Sequence, residues 1–125
     1  MIIADTCIWI EYLKGNKKIL DIMEQLMQEQ KLIAVEFIFA ELLQGAKNKR
    51  ERILIYEFWN NLPKIEEPYI LLKAAEYSGK NKLFAKGLSL IDVSIYLLAK
   101  NKKAQIWTID NALYKLLNTE EHFKP

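Results

Sequence analysis

The sequence has one cysteine, Cys7, and one histidine, His122. A lone cysteine builds no disulfide framework and no thiolate zinc site, so a reducing, cytoplasmic compartment is expected. A single histidine near the end of the chain leaves no paired-histidine chemistry and no Ser-His-Asp triad in the core. Four glycines, Gly15, Gly45, Gly79 and Gly87, never fall two to a short loop, which excludes a Walker loop and a dinucleotide fingerprint. No charge-free run approaches the roughly 18 residues of a membrane span. The apolar start, MIIADTCIWIEYLKG, has neither a basic leader nor a small-residue cleavage site, so neither membrane insertion nor secretion is expected. Repeats, low-complexity tracts and Gly/Ser linkers are also missing, and residues 1–125 read as a single domain.

Aspartate is scarce as well. Of 16 acidic residues only four are Asp (Asp5, Asp21, Asp92 and Asp110), which leaves twelve Glu. The formal net charge of +2, from 18 Lys+Arg, decides nothing about partners, because binding depends on where charges sit. With histidine and cysteine so rare, catalysis in this chain falls to carboxylates.

Hydrophobic residues make up 51% of the chain, enough for a core. Met1 to Ala4 reads as a buried strand, followed by a helix to Leu13 that Gly15 stops. Asn16 caps a second helix, on which Ile19, Leu20, Met23, Leu26 and Met27 share one stripe. Leu32 to Val35 is a second strand and FIFAELLQG an apolar helix. Ile53 to Leu62 forms the next helix, closed by Pro63, and Lys64 to Glu66 suits a minimal strand. Pro68 opens a helix from Tyr69 to about Leu83. Ser89 caps a helix over Leu90 to Ala99, Gln105 to Thr108 is a strand, and Asp110 begins the last helix. Every connection between strands has room for a helix, as parallel strands require. The expected fold is therefore a three-layer α/β/α class with a short parallel sheet of about four or five strands.

In such a sheet, ligand sites form beyond the carboxyl ends of the strands. Asp5 and Asp110 both follow strands and reach that edge. Asp92 precedes Asp110 by 18 residues. About ten helical residues descend roughly 15 Å, and about four strand residues climb most of the way back, so Asp92 and Asp110 should meet. Glu41 interrupts an apolar helix, and its helical neighbours Phe37, Ile38, Gln44 and Gly45 include no cation. Burying it there is costly without compensation, which a divalent cation would supply. Each acid also has an ordinary structural alternative. Asp5 and Asp110 can be N-caps, Ser89 and Asp92 can form a capping box, and Glu41 can face solvent or a distant lysine. Together, four carboxylates suit Mg²⁺ or Mn²⁺ and phosphodiester hydrolysis.

The segments IIADTCIWI, AELLQG, SLIDVSI and WTID resemble, in order and spacing, those of PIN-domain nucleases, and most of all VapC toxins of toxin–antitoxin pairs. The resemblance runs over essentially the whole chain. It implies a Mg²⁺- or Mn²⁺-dependent endoribonuclease with Asp5, Glu41, Asp92 and Asp110 as catalytic metal ligands. Thr6 and Thr108 would orient carboxylates or the scissile phosphate. It further implies a structured RNA substrate such as tRNA or rRNA, a homodimer, and a small antitoxin partner. At the last motif the family often has T-x-D-x-D-F, whereas this chain has TIDNAL; Asn111 and Ala112 add no carboxylate. The alternative is a catalytically weak PIN-like module that binds RNA or protein. A phosphatase or receiver-type reading lacks the second aspartate and the lysine such sites need.

Trp9, Tyr12 and the stripe from Ile19 to Met27 are candidates for an antitoxin surface, with core packing as the alternative. Cys7 reads as a small buried residue rather than a nucleophile. Lys47, Lys49 and Arg50, with Lys80 and Lys82, flank the candidate site helices and are the expected RNA contacts. Lys102 and Lys103 fall at the opposite edge. Charge reversal at Lys49 and Arg50 should therefore weaken RNA binding at least tenfold and reduce its salt dependence, while reversal at Lys102 and Lys103 changes little; filter binding across a salt series checks this.

Overall fold

In the computed structural model, which describes residues 1–125, the apolar start of the chain becomes the middle of the sheet. Strand β1 (Ile2–Ala4) lies between β2 (Leu32–Ile33) and β3 (Gln105–Trp107). Both pairings are parallel, with Ile3 opposite Ile33 on one side and Ile106 on the other, and Ala4 opposite Trp107. A central parallel strand is covered on both faces, so Ile2, Ile3 and Ala4 are all buried instead of alternating.

Helices α1 (Thr6–Leu13) and α2 (Lys17–Gln28) connect β1 to β2. The connection from β2 to β3 carries α3 (Glu36–Gln44), α4 (Lys49–Asn61), α5 (Ile70–Asn81) and α6 (Leu90–Lys102), and α7 (Asn111–Leu116) follows β3. The fold is the expected three-layer α/β/α class, but the sheet has three strands rather than four or five. The segment Lys64 to Glu66 contributes only a single parallel bridge between Lys64 and Ala34. Pro63 has no N–H to give, which limits the ladder there. A matching bridge joins Ile106 to His122 on the far side. Each bridge is secured by two backbone hydrogen bonds: Ala34 N–H to Pro63 O (2.8 Å) and Ile65 N–H to Ala34 O (3.0 Å) at β2, and Ile106 N–H to Glu121 O and Phe123 N–H to Ile106 O (both 2.8 Å) at β3.

Strands β2 and β3 end earlier than expected, α6 runs on to Lys102, and three further boundaries differ for local backbone reasons. Helix α4 begins at Lys49 because Asn48 caps it by accepting the Glu51 N–H at 2.9 Å, so the basic run is its first turn. Pro68 sits outside α5, since Tyr69 adopts φ 61°, a left-handed conformation no helix can include. Lys82, at φ 53°, ends α5 before Leu83, and a short 3₁₀ turn (Phe84–Lys86) leads to Gly87 at φ 84°.

One cluster of 29 buried hydrophobic residues joins the layers. It includes Ile19, Met23 and Leu26, with Met27 packed against it, so most of the α2 stripe belongs to the core rather than to a partner surface. Trp9 is likewise core, 2% exposed, with ring centroids of Tyr12, Phe39 and Phe58 at 5.9, 5.0 and 5.5 Å. This cluster pins α1 to α3 and α4. Trp9→Ala should cost about 3–5 kcal/mol in urea unfolding, whereas Ile53→Ala, at a half-exposed position on α4, should stay within about 0.5 kcal/mol.

Candidate functional site

The carboxyl ends of β1 and β3 meet the N-termini of α1 and α7, and Asp5 sits at that junction with only 4% of its surface exposed. Its N–H donates to Trp107 O at 2.9 Å, which extends the β1–β3 ladder into the site. Oδ1 accepts the Thr6 N–H at 2.7 Å. Oδ2 accepts the Thr108 hydroxyl at 2.8 Å and faces Cys7 Sγ at 3.4 Å. Thr108 in turn accepts the Asp110 N–H at 3.0 Å, and the Thr6 hydroxyl donates to Glu41 Oε1 at 2.8 Å. A single hydrogen-bonded chain thus runs from Asp110 through Thr108, Asp5 and Thr6 to Glu41, linking three segments far apart in sequence.

Asp92 lies outside that chain but acts on Asp5 through its charge. Burial holds the Asp5 carboxyl above the ordinary carboxylate range; hydrogen bonds from Thr108, Thr6 and Cys7 oppose this, and Asp92 adds to it. Burial and the adjacent Asp5 charge push the Cys7 thiol up to about 11. At neutral pH Cys7 is therefore a thiol, which suits a packing residue and not a nucleophile. None of the ion pairs in the structure reaches Asp5, Glu41, Asp92 or Asp110.

The capping alternatives are realised alongside this network. Asp110 Oδ1 accepts the Leu113 N–H at 3.0 Å, and Ser89 and Asp92 form a reciprocal capping box at 3.0 and 3.1 Å. These duties turn the side chains toward their own helices. No three Asp, Glu, His or Cys side chains stand close enough to hold an ion as arranged. Each cap uses one oxygen, leaving Asp92 Oδ1, Asp110 Oδ2 and Glu41 Oε2 without a protein partner. Glu41 is exposed, so the burial cost expected for it does not arise; the desolvated carboxylate is Asp5.

The PIN domain family model matches residues 2–117. The chain belongs to the PIN domain family. Among solved structures it is similar to that of FitAcB from Neisseria gonorrhoeae, with 20% identity and a TM-score of 0.61, covering 92% of this chain and 91% of that one. That likeness establishes a shared fold. No curated protein matches the sequence.

In this PIN domain, a cavity of about 160 Å³ beside Glu41 is lined by Ile10, Lys14, Lys47 and Glu51 among others. Lys47 is therefore near Glu41, while Lys49 and Arg50 lie in the first turn of α4. Lys80 is in the last turn of α5 and Lys82 just beyond it, a few residues before the α6 cap. Sequence reasoning missed Lys14, yet a signal existed: Thr6, Ile10 and Lys14 recur every four residues and so share a face of α1. It also missed the thiol contact to Asp5, although Cys7 is only two positions on.

The raised Asp5 pKa has a definite consequence for metal-free protein. The folded state holds this proton to a higher pH than the unfolded state does, so ionised Asp5 weakens folding above its raised value. That penalty is relieved as pH falls through the raised value toward the ordinary carboxylate range. Asp5→Asn should remove this slope. In EDTA, its unfolding free energy relative to wild type should be most favourable near pH 7 and decline toward pH 4, as urea titrations at stepped pH would show.

Proposed function

We propose that this PIN domain is a Mg²⁺- or Mn²⁺-dependent endoribonuclease that acts as the VapC-type toxin of a toxin–antitoxin pair. One observation carries the proposal: a buried aspartate at the carboxyl edge of a parallel sheet, with no cation paired to it and a second carboxylate near enough to raise its pKa. A hard divalent cation is the natural complement of such an all-oxygen set. Asp5, Glu41, Asp92 and Asp110 are the residues that would hold it: Glu41, Asp92 and Asp110 each keep one oxygen without a protein partner, whereas Asp5 would share oxygens that already accept from Thr6 and Thr108. When bound, the ion supplies the positive charge that makes water a nucleophile toward a phosphodiester near neutral pH.

The chain's own residues prepare that chemistry. Thr108 and the Thr6 N–H fix the Asp5 carboxylate from opposite sides, and the Thr6 hydroxyl orients Glu41. Lys47, Lys49, Arg50, Lys80 and Lys82 supply phosphate contacts around the rim. For the antitoxin, the groove between α3 and α4, about 410 Å³ and lined by Phe39, Ala40, Leu43, Ile55, Tyr56 and Trp59, offers the apolar surface that α2 does not. Helix-in-groove docking suits a small partner of this kind. A homodimer acting on tRNA or rRNA in the cytoplasm completes the proposal; no helix of the chain is long and apolar enough to cross a membrane. A non-catalytic RNA- or protein-binding module is the second reading, favoured by the TIDNAL motif and by the commitment of Asp110 Oδ1 to the α7 cap.

Purified protein incubated with total RNA and Mg²⁺ or Mn²⁺ should cleave it. EDTA, or Asp5→Asn, should reduce the rate at least a hundredfold. Metal binding should also appear without any substrate: at 100 times the dissociation constant, Mg²⁺ should stabilise wild type by about 2.7 kcal/mol and leave Asp5→Asn unmoved in thermal melts. Cleavage that survives EDTA overturns the proposal, and folded protein that binds RNA without cutting it supports the second reading.

A further inference from the structure

Phe84 is 84% exposed, more than any other large hydrophobic side chain in the protein. It is not on a fraying segment. The 3₁₀ turn that carries it is closed by Lys86 N–H to Leu83 O and Gly87 N–H to Phe84 O, both 3.0 Å, and by Leu88 N–H to Leu83 O at 3.2 Å. The flanking Leu83 and Leu88 are each 3% exposed, so both ends of the turn are anchored in the core while the ring between them faces water. A single exposed apolar side chain is common on protein surfaces, so the ring carries an argument only together with the charges around it.

The surroundings specify the ligand. From Tyr77 to Ile91 the chain has three lysines, Lys80, Lys82 and Lys86, and no Asp or Glu. Lys82 and Lys86 are exposed and make no ion pair. The turn also sits at the rim of the acidic site. A Cβ on Gly87 would lie 3.9 Å from Cβ of Ala112, near the start of α7 that Asp110 caps. Ser89, two residues further on, is bonded to Asp92. Even fully extended, the five-residue step from Phe84 to Ser89 spans at most about 18 Å.

An aromatic face without a polar atom, bracketed by unpaired cations, complements a π-stacked base whose neighbouring phosphates are negative. We propose that Phe84 is the stacking platform for an unpaired base of the RNA substrate, close to the scissile phosphate, with Lys82 and Lys86 on the flanking phosphates. This rests on the ribonuclease assignment above and extends it to a substrate preference. A base paired within a duplex cannot present its face to the ring, so the protein selects RNA that is single-stranded at that nucleotide.

The test uses full-length protein carrying Asp5→Asn to prevent cleavage, with a fluorescent single-stranded RNA oligonucleotide and the same sequence annealed as a duplex. Phe84→Ala and Phe84→Leu should weaken single-strand binding by about 5- to 100-fold, with Phe84→Trp close to the parent. Duplex binding should be equal in all four proteins, and melting temperatures should match because the side chain is largely exposed. Leu as good as Phe, or Ala indistinguishable from Phe, overturns the stacking role; in the second case the ring is left as a protein-docking anchor. The two levels of failure separate cleanly. RNA bound with Phe84 indifferent overturns only this proposal, whereas no RNA bound with Asp5 present or substituted overturns the ribonuclease assignment as well.

Discussion

A buried carboxylate at the end of the central strand is the constraint around which this molecule is organised. Strand β1 has neighbours on both sides and helices on both faces, so Asp5, the residue that follows it, keeps only 4% of its surface exposed. Asp5 must therefore be stabilised by groups the fold brings to it. The Thr6 N–H comes from the first turn of α1, and the Thr108 hydroxyl from just beyond β3, over a hundred residues later. The backbone bond from Asp5 to Trp107 fixes the register that makes the second donation possible. A slip of β3 by one residue would exchange Thr108 for its neighbours and turn every side chain of that strand to the opposite face.

The same helix N-termini serve stability and chemistry together. Asp92 and Asp110 each close the first turn of a helix with one oxygen, and Asn48 and Asn16 do similar work away from the site. Carboxylates at helix N-termini are favoured by the backbone dipoles as well as by the free N–H groups. Negative charge can thus be concentrated at one edge of the sheet without unfolding it, because each charge is partly met by peptide dipoles before any ion or substrate arrives. The cost is orientation. Side chains held toward their own helices do not form a ready-made chelate, so ion binding and capping compete for the same rotamers.

Much of this was legible in the sequence because it depends on periodicity and counting. Short apolar runs alternating with helix-length connections point to a parallel α/β sheet, and that is the sheet found. Less legible was whatever depends on a single backbone angle or a single cap. The left-handed Tyr69 displaced the start of α5 beyond Pro68, and Asn48 began α4 before its apolar stripe. Glu41 is hard to place for a related reason: the helix around it is apolar in sequence, but only one face of α3 is buried and Glu41 lies on the other. The α2 stripe could have faced a partner or the core with the same spacing, and only tertiary packing distinguishes the two.

Both margins of the small sheet are occupied by single-residue bridges, Lys64 against Ala34 and His122 against Ile106. Unpaired strand margins are templates for indefinite addition of further strands. Each bridge occupies its margin at one residue, so a strand adding at Ala34 or Ile106 must first displace Lys64 or His122. Pairing at those two positions is thereby spent within the chain, and side-chain shape and charge are left to discriminate between partners there.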